Sequence, residues 1–274
     1  MNQKINSETE RYSGAYGGIT LNSFSERKAS KEAEFFLPYL SPQMELLDCG
    51  CGPGTITVDL AKIVAPGEVI GIDIEDSQFI IGQKKARAEN VTNIKFKLAN
   101  IYQLPFADNS FDAVFAHAVI YHLKYPHQAL KELYSLLKPG GVLGIRDAAH
   151  DSNIFTPSIP ILKTAWDILS RVVEVNGGNP FFGKYQRKIL QEVGFVNVKA
   201  SASFDYVGTP EATKKAGEFW ADLILQNQVI DVVIKQNLAT KEEVEAMSIA
   251  FLEWGKHPDA FFARARCEAV GWKE

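Results

Sequence analysis

A glycine-rich turn between a strand-like stretch and a helix-like stretch constrains this chain more than any other feature. The apolar run at 44–47 predicts a buried strand, and residues 55–65 carry apolar side chains at helical spacing. Between them the chain reads Asp48-Cys49-Gly50-Cys51-Gly52-Pro53-Gly54. Glycines let the backbone approach a ligand closely, and a helix N-terminus offers free N–H donors. The order strand, glycine turn, helix therefore predicts a nucleotide-type cofactor site, with an ordinary tight turn as the alternative.

The spacing of these glycines separates the turn from the common dinucleotide fingerprint. That fingerprint is G-x-G-x-x-G, and Thr55 stands at the position of its third glycine. The form D-x-G-x-G-x-G instead resembles motif I of the class I S-adenosylmethionine-dependent methyltransferases. Later stretches resemble the branch named for ubiquinone and menaquinone C-methyltransferases, namely Leu104-Pro105-Phe106, Asn109-Ser110-Phe111-Asp112-Ala113-Val114 and Leu137-Lys138-Pro139-Gly140-Gly141. The resemblance covers residues 40–147.

This resemblance implies an α/β fold with a Rossmann-like, doubly wound, seven-stranded sheet whose last strand is antiparallel. Residues 1–274 would then form a single methyltransferase domain. It also implies S-adenosyl-L-methionine as the cofactor and no metal. Apolar runs predict the strands after the first at 69–73, 94–98, 111–116, 142–146, 196–203 and 260–270.

Cofactor contacts are implied first for the turn and for the end of the second strand. In the turn they fall on Asp48, Gly50, Cys51, Gly52 and Gly54. Asp73 stands where the family places its ribose-binding acid, and an ionised carboxylate can accept both ribose hydroxyl hydrogen bonds. The alternative for Asp73 is a helix cap.

Further contacts are implied along the same edge of the sheet. Asn100 stands where the family often carries an aspartate that accepts from the adenine amino group, and an asparagine oxygen can accept the same bond. The remaining expected contacts are Ile74, Gln78, Ile101 and His117.

The N-terminal residues 1–26 are polar and rich in Gly, Ser and Tyr, which suits a frayed tail. Related methyltransferases commonly fold such a segment over the cofactor as a lid. The resemblance therefore adds Tyr16 and Arg27 as cofactor contacts. Residues 28–40 then predict a helix.

Composition limits the partners of this chain. A net charge of −4 argues against a nucleic-acid-binding surface, because phosphate contacts need clustered Lys and Arg. No apolar run reaches the length of a membrane span. Three cysteines make no disulfide framework, which favours a reduced, cytoplasmic protein. The expected partner is a small-molecule substrate, and the expected assembly is a monomer or a homodimer.

Two stretches, 151–184 and 207–257, are insertions relative to the minimal pattern of the family. They predict helices that begin near Thr156-Pro157, at Thr209-Pro210 and at the capping box Thr240-Lys241-Glu242-Glu243. Both leave strand ends on the ligand side, so we expect one helical cap over the substrate. Its aromatic residues can form the cap's own core or line an apolar pocket: Phe155, Trp166, Phe181, Phe182, Trp220 and Phe251.

Three histidines follow the predicted fourth and fifth strands, at the edge where open α/β sheets bind ligands: His117, His122 and His150. A sulfonium methyl transfers in one in-line displacement, so positioning and desolvation supply most of the rate effect. An oxygen or nitrogen acceptor can need a base, and histidine titrates near neutrality. His117 and His150 are therefore the candidate catalytic residues, with a structural role as the alternative.

The predicted function is methyl transfer to a small, partly apolar and possibly ring-bearing acceptor. The few basic residues of the inserts favour a neutral acceptor over a phosphorylated one. A nonmethylating S-adenosylmethionine-binding protein of the same fold and a nicotinamide-dependent reductase are the alternatives. The sequence leaves the acceptor, and the choice of carbon, oxygen or nitrogen, open.

Overall fold

The computed structural model describes Tyr12 and residues 18–274, and one mixed sheet runs through this part of the chain. Its strands are β1 (Leu46–Cys49), β2 (Val69–Asp73), β3 (Ile94–Leu98), β4 (Phe111–His117), β5 (Leu137–Ala148), β6 (Ile154–Thr156), β7 (Val196–Val207) and β8 (Phe261–Trp272). The neighbours β3, β2, β1, β4 and β5 are parallel in that order. β8 runs antiparallel beside β5, and β7 pairs with the other edge of β8. The predicted Rossmann-like α/β fold with an antiparallel last strand is confirmed.

The sheet has eight strands where the sequence predicts seven, and the addition is β6. β6 has 3 residues and pairs with the same edge of β8 as β5 does. It pairs with residues 261–263 of β8, whereas β5 pairs with residues 266–272. Because β5 reaches only as far as Arg266, the backbone groups of β8 at 261–263 are free to pair with β6. A strand this short shows no alternation pattern in the sequence.

Helices cover the sheet and form the two inserts. Within the described residues the α-helices are α1 (Gly18–Ser25), α2 (Ala29–Glu32), α3 (Thr55–Val64), α4 (Phe79–Ala88), α5 (Pro126–Leu136), α6 (Pro160–Val175), α7 (Gln186–Val193), α8 (Pro210–Leu225), α9 (Asn227–Lys235) and α10 (Lys241–Trp254). Among these described helices, none is both long and apolar enough to cross a membrane. The predicted capping box at Thr240 is present at the start of α10.

The predicted helix over 28–40 is wrong beyond Glu32. There α2 ends after 4 residues, and a short 3₁₀ turn follows at Leu37–Tyr39. Pro38 lies in that turn. It cannot donate a helical hydrogen bond, and it disfavours the α conformation of the residue before it.

Alternate residues of the central strands point to opposite faces of the sheet, and helices bury both faces. Leu46 and Phe115 lie in the cluster that contains the apolar residues of α3. Leu47 and Val114 lie in the cluster that contains those of α5. Both faces are buried because the connections between parallel strands place helices on each side.

A separate apolar cluster joins the two inserts. Leu162 of α6, Trp220 of α8, Val229 of α9 and Phe251 of α10 are all buried in it. Residues from 151–184 and 207–257 thus share one core, distinct from the two faces of the sheet.

Candidate active site

A cavity of about 610 Å³ lies at the carboxyl ends of β1, β2 and β4. The glycine turn forms one wall, and residues of α6 and α8 form the opposite wall. The predicted cofactor contacts that line it are Arg27, Asp48, Gly50, Cys51, Gly52, Asp73, Ile74, Gln78, Asn100, Ile101 and His117. His150, the second predicted catalytic residue, lines it too. Tyr16 falls outside the described residues.

The glycines of the turn have different surroundings. Gly52 has a φ of 51°, and a Cβ atom built on it would lie 3.7 Å from Gln78 Oε1, at the cavity wall. Gly54 has a φ of 74°, and a Cβ there would lie 2.4 Å from the Phe96 ring. The structure therefore departs from the sequence prediction at Gly54, which does not line the cavity. Its missing side chain lets α3 start close to β3.

Asp73 holds the glycine turn in place. One carboxylate oxygen accepts a hydrogen bond from the Gly52 amide at 2.8 Å, and the other accepts from the Glu75 amide at 3.1 Å. The helix that follows begins at Phe79 after Gln78, so Asp73 does not cap it. Burial raises the pKa of Asp73, although these backbone donors oppose the shift. Ile74 is a further backbone donor to this carboxylate, whose two oxygens have about four acceptor positions, so three donors do not use up its capacity.

Asp48 lies beneath the turn. Its carboxylate accepts a hydrogen bond of 2.6 Å from the Thr57 hydroxyl on α3. Burial raises the pKa of Asp48 to about 7, the Thr57 hydrogen bond opposes this, and the charge of Asp73 adds to it. The Asp48 side chain therefore ties the turn to α3.

Two further residues lie beside the turn. Gln78 is buried, and its Oε1 atom lies nearest the open side of Gly52. The Asn100 oxygen accepts a hydrogen bond of 3.0 Å from the Tyr102 amide. This bond fixes the orientation of the Asn100 side chain while its amide nitrogen remains a potential donor.

His117 and His122 are buried and neutral. Burial, with the charges of Arg27 and Arg146, lowers the pKa of His117 far below its ordinary value. Among the described residues neither ring nitrogen of His117 has a hydrogen-bond partner, and its Nε2 lies 3.5 Å from a Glu32 oxygen. Burial lowers the pKa of His122 to about 3, with smaller contributions from His150 and two arginines.

His150 is hydrogen-bonded at one ring nitrogen. Its Nδ1 lies 3.0 Å from the Ser170 hydroxyl, which itself donates to the Trp166 carbonyl at 3.0 Å. If the Ser170 hydroxyl donates to the Trp166 carbonyl, its single hydrogen is used, so His150 Nδ1 is the donor and Nε2 keeps its lone pair. Burial lowers the pKa of His150 to about 3, and the charges of Arg264 and Arg266 contribute. The ring is thus a neutral acceptor at the cavity wall.

A buried charge network lies behind the cavity. Arg146 contacts Glu32 at 2.6 Å, Asp205 at 2.8 Å and Glu268 at 3.3 Å. Arg266, which also lines the cavity, contacts the second oxygen of Asp205 at 2.7 Å. These ion pairs link α2, β5, β7 and β8 around the carboxyl edge of the sheet.

Only some of the predicted cap aromatics line the cavity. Trp166 and Trp220 line it. Phe155 and Phe251 pack inside the insert cluster, and Phe182 packs under the sheet. Phe181 does not line the cavity. The cavity residues that were not predicted from the sequence include Phe24, Leu169, Val173, Phe219, Leu223, Arg264 and Arg266. Period-two alternation in β8 could have placed Arg264 and Arg266 on one face.

The sequence of this chain is similar to those of known methyltransferases. A family described as "Methyltransferase domain" matches residues 40–177. The chain is 29% identical to a probable methyltransferase, ltbC, of Aspergillus luteorubrus, over 97% of this chain and 98% of that protein. It is 37% identical to a demethylmenaquinone methyltransferase of Lactobacillus johnsonii, over 56% of this chain and 68% of that protein.

The same architecture occurs in solved structures. The YcgJ protein of Bacillus subtilis superposes with a TM-score of 0.59 at 16% identity, covering 89% of this chain and 99% of that one. This similarity concerns the fold. Together with the family match over the glycine turn and the strand ends, it identifies the chain as a member of the class I S-adenosylmethionine-dependent methyltransferases.

Proposed function

We propose that this methyltransferase acts on a small, partly apolar acceptor that binds in the 610 Å³ cavity beside the cofactor. The proposal rests on the extent of this cavity, which is continuous from Gly52 and Asp73 at the glycine turn to Trp166 and Trp220 on the inserts. Its volume is in the range of small-molecule sites. The residues 151–184 and 207–257 would then act as a cap over the acceptor.

The residues at the glycine turn suit S-adenosylmethionine. Gly52 leaves a cradle that a side chain would fill, and the Asp73 carboxylate has acceptor capacity for ribose hydroxyls. Asp48, Gly50, Cys51, Ile74, Gln78, Asn100 and Ile101 would complete the contacts. When bound, the cofactor supplies an activated methyl group that passes to the acceptor in one displacement.

The chain's own contribution is to position the acceptor, exclude water and receive a proton where needed. Trp166, Trp220 and Leu169 provide an apolar wall, which favours a step in which charge on sulfur disappears. His150 would accept the proton of an oxygen or nitrogen acceptor, because its ring is neutral and lines the cavity beside the apolar wall. His117 would contact the cofactor through its backbone.

The segment before α2 would act as part of a lid. Phe24 of α1 lines the cavity, and its ring centroid lies 6.5 Å from that of Phe219 on α8. The Arg27 guanidinium stacks on Phe24 at 4.0 Å and lines the cavity next to it. These contacts support the assignment of Arg27 as a cofactor contact.

Calorimetry and label transfer test the proposal. We expect the protein to bind S-adenosylhomocysteine in preference to NAD, and Asp73→Ala to weaken that binding by about 1–3 kcal/mol. The exposed neighbour Asp76 provides the matched control, since Asp76→Ala should leave the affinity unchanged. Methyl-labelled cofactor, incubated with small-molecule extracts, should label a metabolite. Cofactor binding without any labelled product would favour the nonmethylating alternative, and preference for NAD would favour the reductase.

A further inference from the structure

Arg264 on β8 carries a charge that the proposed reaction does not use. Its side chain lines the cavity, and its guanidinium carbon lies 4.5 Å from the centroid of the Trp220 ring. No carboxylate among the described residues forms an ion pair with it, whereas Arg266, two residues farther along the same strand face, pairs with Asp205 at 2.7 Å. Asp205 lies opposite Arg264 on β7 and raises its pKa, but the Asp205 carboxylate is bound by Arg146 and Arg266. Among the described residues, Arg264 therefore has no ion-pair partner of its own.

Apart from Asp205, which is shared with two other arginines, the titratable groups around Arg264 supply no negative charge. Burial and the charge of Arg266 lower the pKa of Arg264 to about 9, which leaves it protonated at neutral pH. His150 and His122 are neutral, because burial and these arginines lower their pKa values to about 3. Burial raises the pKa of Tyr121, so this neighbour is neutral as well. This end of the cavity is therefore net positive.

A buried cation without a partner is costly, and the cost is removed when a ligand brings the opposite charge. A guanidinium is suited to that role because its planar donors match a carboxylate in a bidentate arrangement. Next to it, Trp166, Leu169, Val173 and Trp220 form the apolar wall of the cavity. The site therefore combines one cation with a surface for a flat apolar group.

We propose that Arg264 binds an anionic oxygen group of the methyl acceptor, such as a carboxylate, while the apolar body of the acceptor lies against Trp166 and Trp220. This inference rests on the proposed function and names a substrate class within it: an acid with an apolar ring. It replaces the neutral acceptor that the composition of the inserts favours, because the cation comes from β8 and not from an insert.

The cofactor's own carboxylate is the competing anion, and the structure separates the two arginines that could meet it. Arg27 follows α1 and lowers the pKa of His117 at the end of β4. Arg264 acts instead on His122 and His150 and stacks on Trp220. The two arginines are near enough for the charge of Arg27 to lower the pKa of Arg264, but Arg27 stacks on Phe24 of α1 whereas Arg264 stacks on Trp220 of the apolar wall. For this reason we place the cofactor's carboxylate near Arg27 and the acceptor's anion at Arg264.

The test uses full-length protein saturated with S-adenosylhomocysteine and titrated calorimetrically with 2-naphthoate and with its uncharged isostere 2-naphthamide. Wild-type protein should bind the acid at least tenfold more tightly than the amide. Arg264→Gln should weaken acid binding by about 10- to 100-fold, the usual effect of losing a charged hydrogen-bond partner, and should leave the amide unchanged. Arg264→Lys should recover part of the loss. The matched control is Arg171→Gln on the exposed side of α6, which should change nothing.

The outcomes separate this inference from the proposed function. Equal binding of acid and amide, or no binding of the acid up to about 10 mM, overturns the role of Arg264. Weaker binding of S-adenosylhomocysteine to Arg264→Gln, with acid binding intact, also overturns it and assigns the arginine to the cofactor. Failure of wild-type protein to bind S-adenosylhomocysteine at all would instead count against the methyltransferase proposal.

Discussion

At the scale of single residues, Gly52 and Gly54 show how one motif serves two physical needs. Both have positive φ, so a side chain at either position strains the backbone by about 1 kcal/mol or more. At Gly52 the added atoms would enter the cavity, whereas at Gly54 they would meet the Phe96 ring. We therefore expect the first glycine to be needed for ligand binding and the second for the fold.

A matched pair of variants distinguishes these roles. Gly52→Val should abolish binding of S-adenosylhomocysteine while the protein largely keeps its melting temperature, because the side chain occupies ligand space. Gly54→Val should lower the melting temperature markedly, because α3 cannot move away from Phe96 without cost. Calorimetry and thermal unfolding measure the two effects. Unchanged cofactor affinity in Gly52→Val would contradict the site.

His150 predicts how stability depends on pH. Its pKa is about 3 in the folded protein, against an ordinary value near 6.5, so the unfolded chain takes up a proton as pH falls below 6.5 and the folded protein does not. The stability present above pH 6.5 is therefore lost progressively on acidification toward pH 3. Between pH 7 and pH 5 this one group should account for about 2 kcal/mol of the loss.

His150→Gln removes the titrating group and retains a donor for Ser170. We expect the free energy of unfolding of this variant to fall by about 2 kcal/mol less than that of the wild type between pH 7 and pH 5. Urea titrations at the two pH values measure it. An equal loss in His150→Gln and wild type would show that His150 is already accessible to protons.

At the scale of elements, the contact between α8 and α10 sets the position of the cavity wall that α8 forms. A Cβ atom on Gly217 of α8 would lie 2.6 Å from the Phe251 carbonyl oxygen, and one on Gly255 would lie 2.9 Å from the Thr213 carbonyl oxygen. The two helices therefore approach each other at backbone distance. Trp220 lies one turn after Gly217 and reaches the cavity from that helix.

Gly217→Val should force these helices apart. We expect a loss of about 1–3 kcal/mol in the free energy of unfolding and weaker binding of 2-naphthoate, with cofactor affinity retained, because the turn is on the opposite wall. Lys215→Val controls for the poor helix propensity of valine, since Lys215 is exposed on α8. Equal effects of the two substitutions would show that the close helix contact is not important.

At the scale of the whole molecule, Arg146 connects parts of the chain that are far apart in sequence. Its guanidinium contacts Glu32, Asp205 and Glu268, which lie on α2, β7 and β8. Removing one partner of a buried ion pair leaves the others uncompensated in a poorly solvating environment. The network therefore holds the N-terminal segment and the last two strands against β5.

Arg146→Met should destabilise the protein by about 3–5 kcal/mol, because Glu32 and Glu268 lose the guanidinium that faces them, while Asp205 keeps Arg266. Lys95→Met provides the comparison, since Lys95 is largely exposed where it pairs with Glu68, and a loss of at most about 1 kcal/mol is expected there. Urea unfolding at neutral pH measures both. A loss for Arg146→Met no larger than that for Lys95→Met would mean that water reaches these carboxylates.

The proposed cofactor half of the site could be predicted from the sequence because its requirements are local. The turn from Asp48 to Gly54 and the acid at Asp73 follow directly on strands, and backbone geometry there demands glycine and a short polar side chain. Such demands leave their mark on neighbouring positions in the sequence. The same reasoning erred at 28–40, where apolar spacing suggested a helix that Pro38 and the packing of Phe36 under the sheet prevent.

The acceptor half was decided by tertiary structure. Arg264 meets Trp220 and the His150 end of the cavity only because β8 pairs antiparallel with β5, in a register that sets Arg266 opposite Ala148. Nothing near Arg264 in the chain indicates which carboxylate will lie beside it, since Asp205, its cross-strand neighbour on β7, is 59 residues away and forms its ion pairs with Arg146 and Arg266. The sequence by itself determined the fold family and the cofactor, because these depend on local backbone and strand order. The charge offered to the acceptor depends on which distant side chains share a cavity, and only the folded chain decides that.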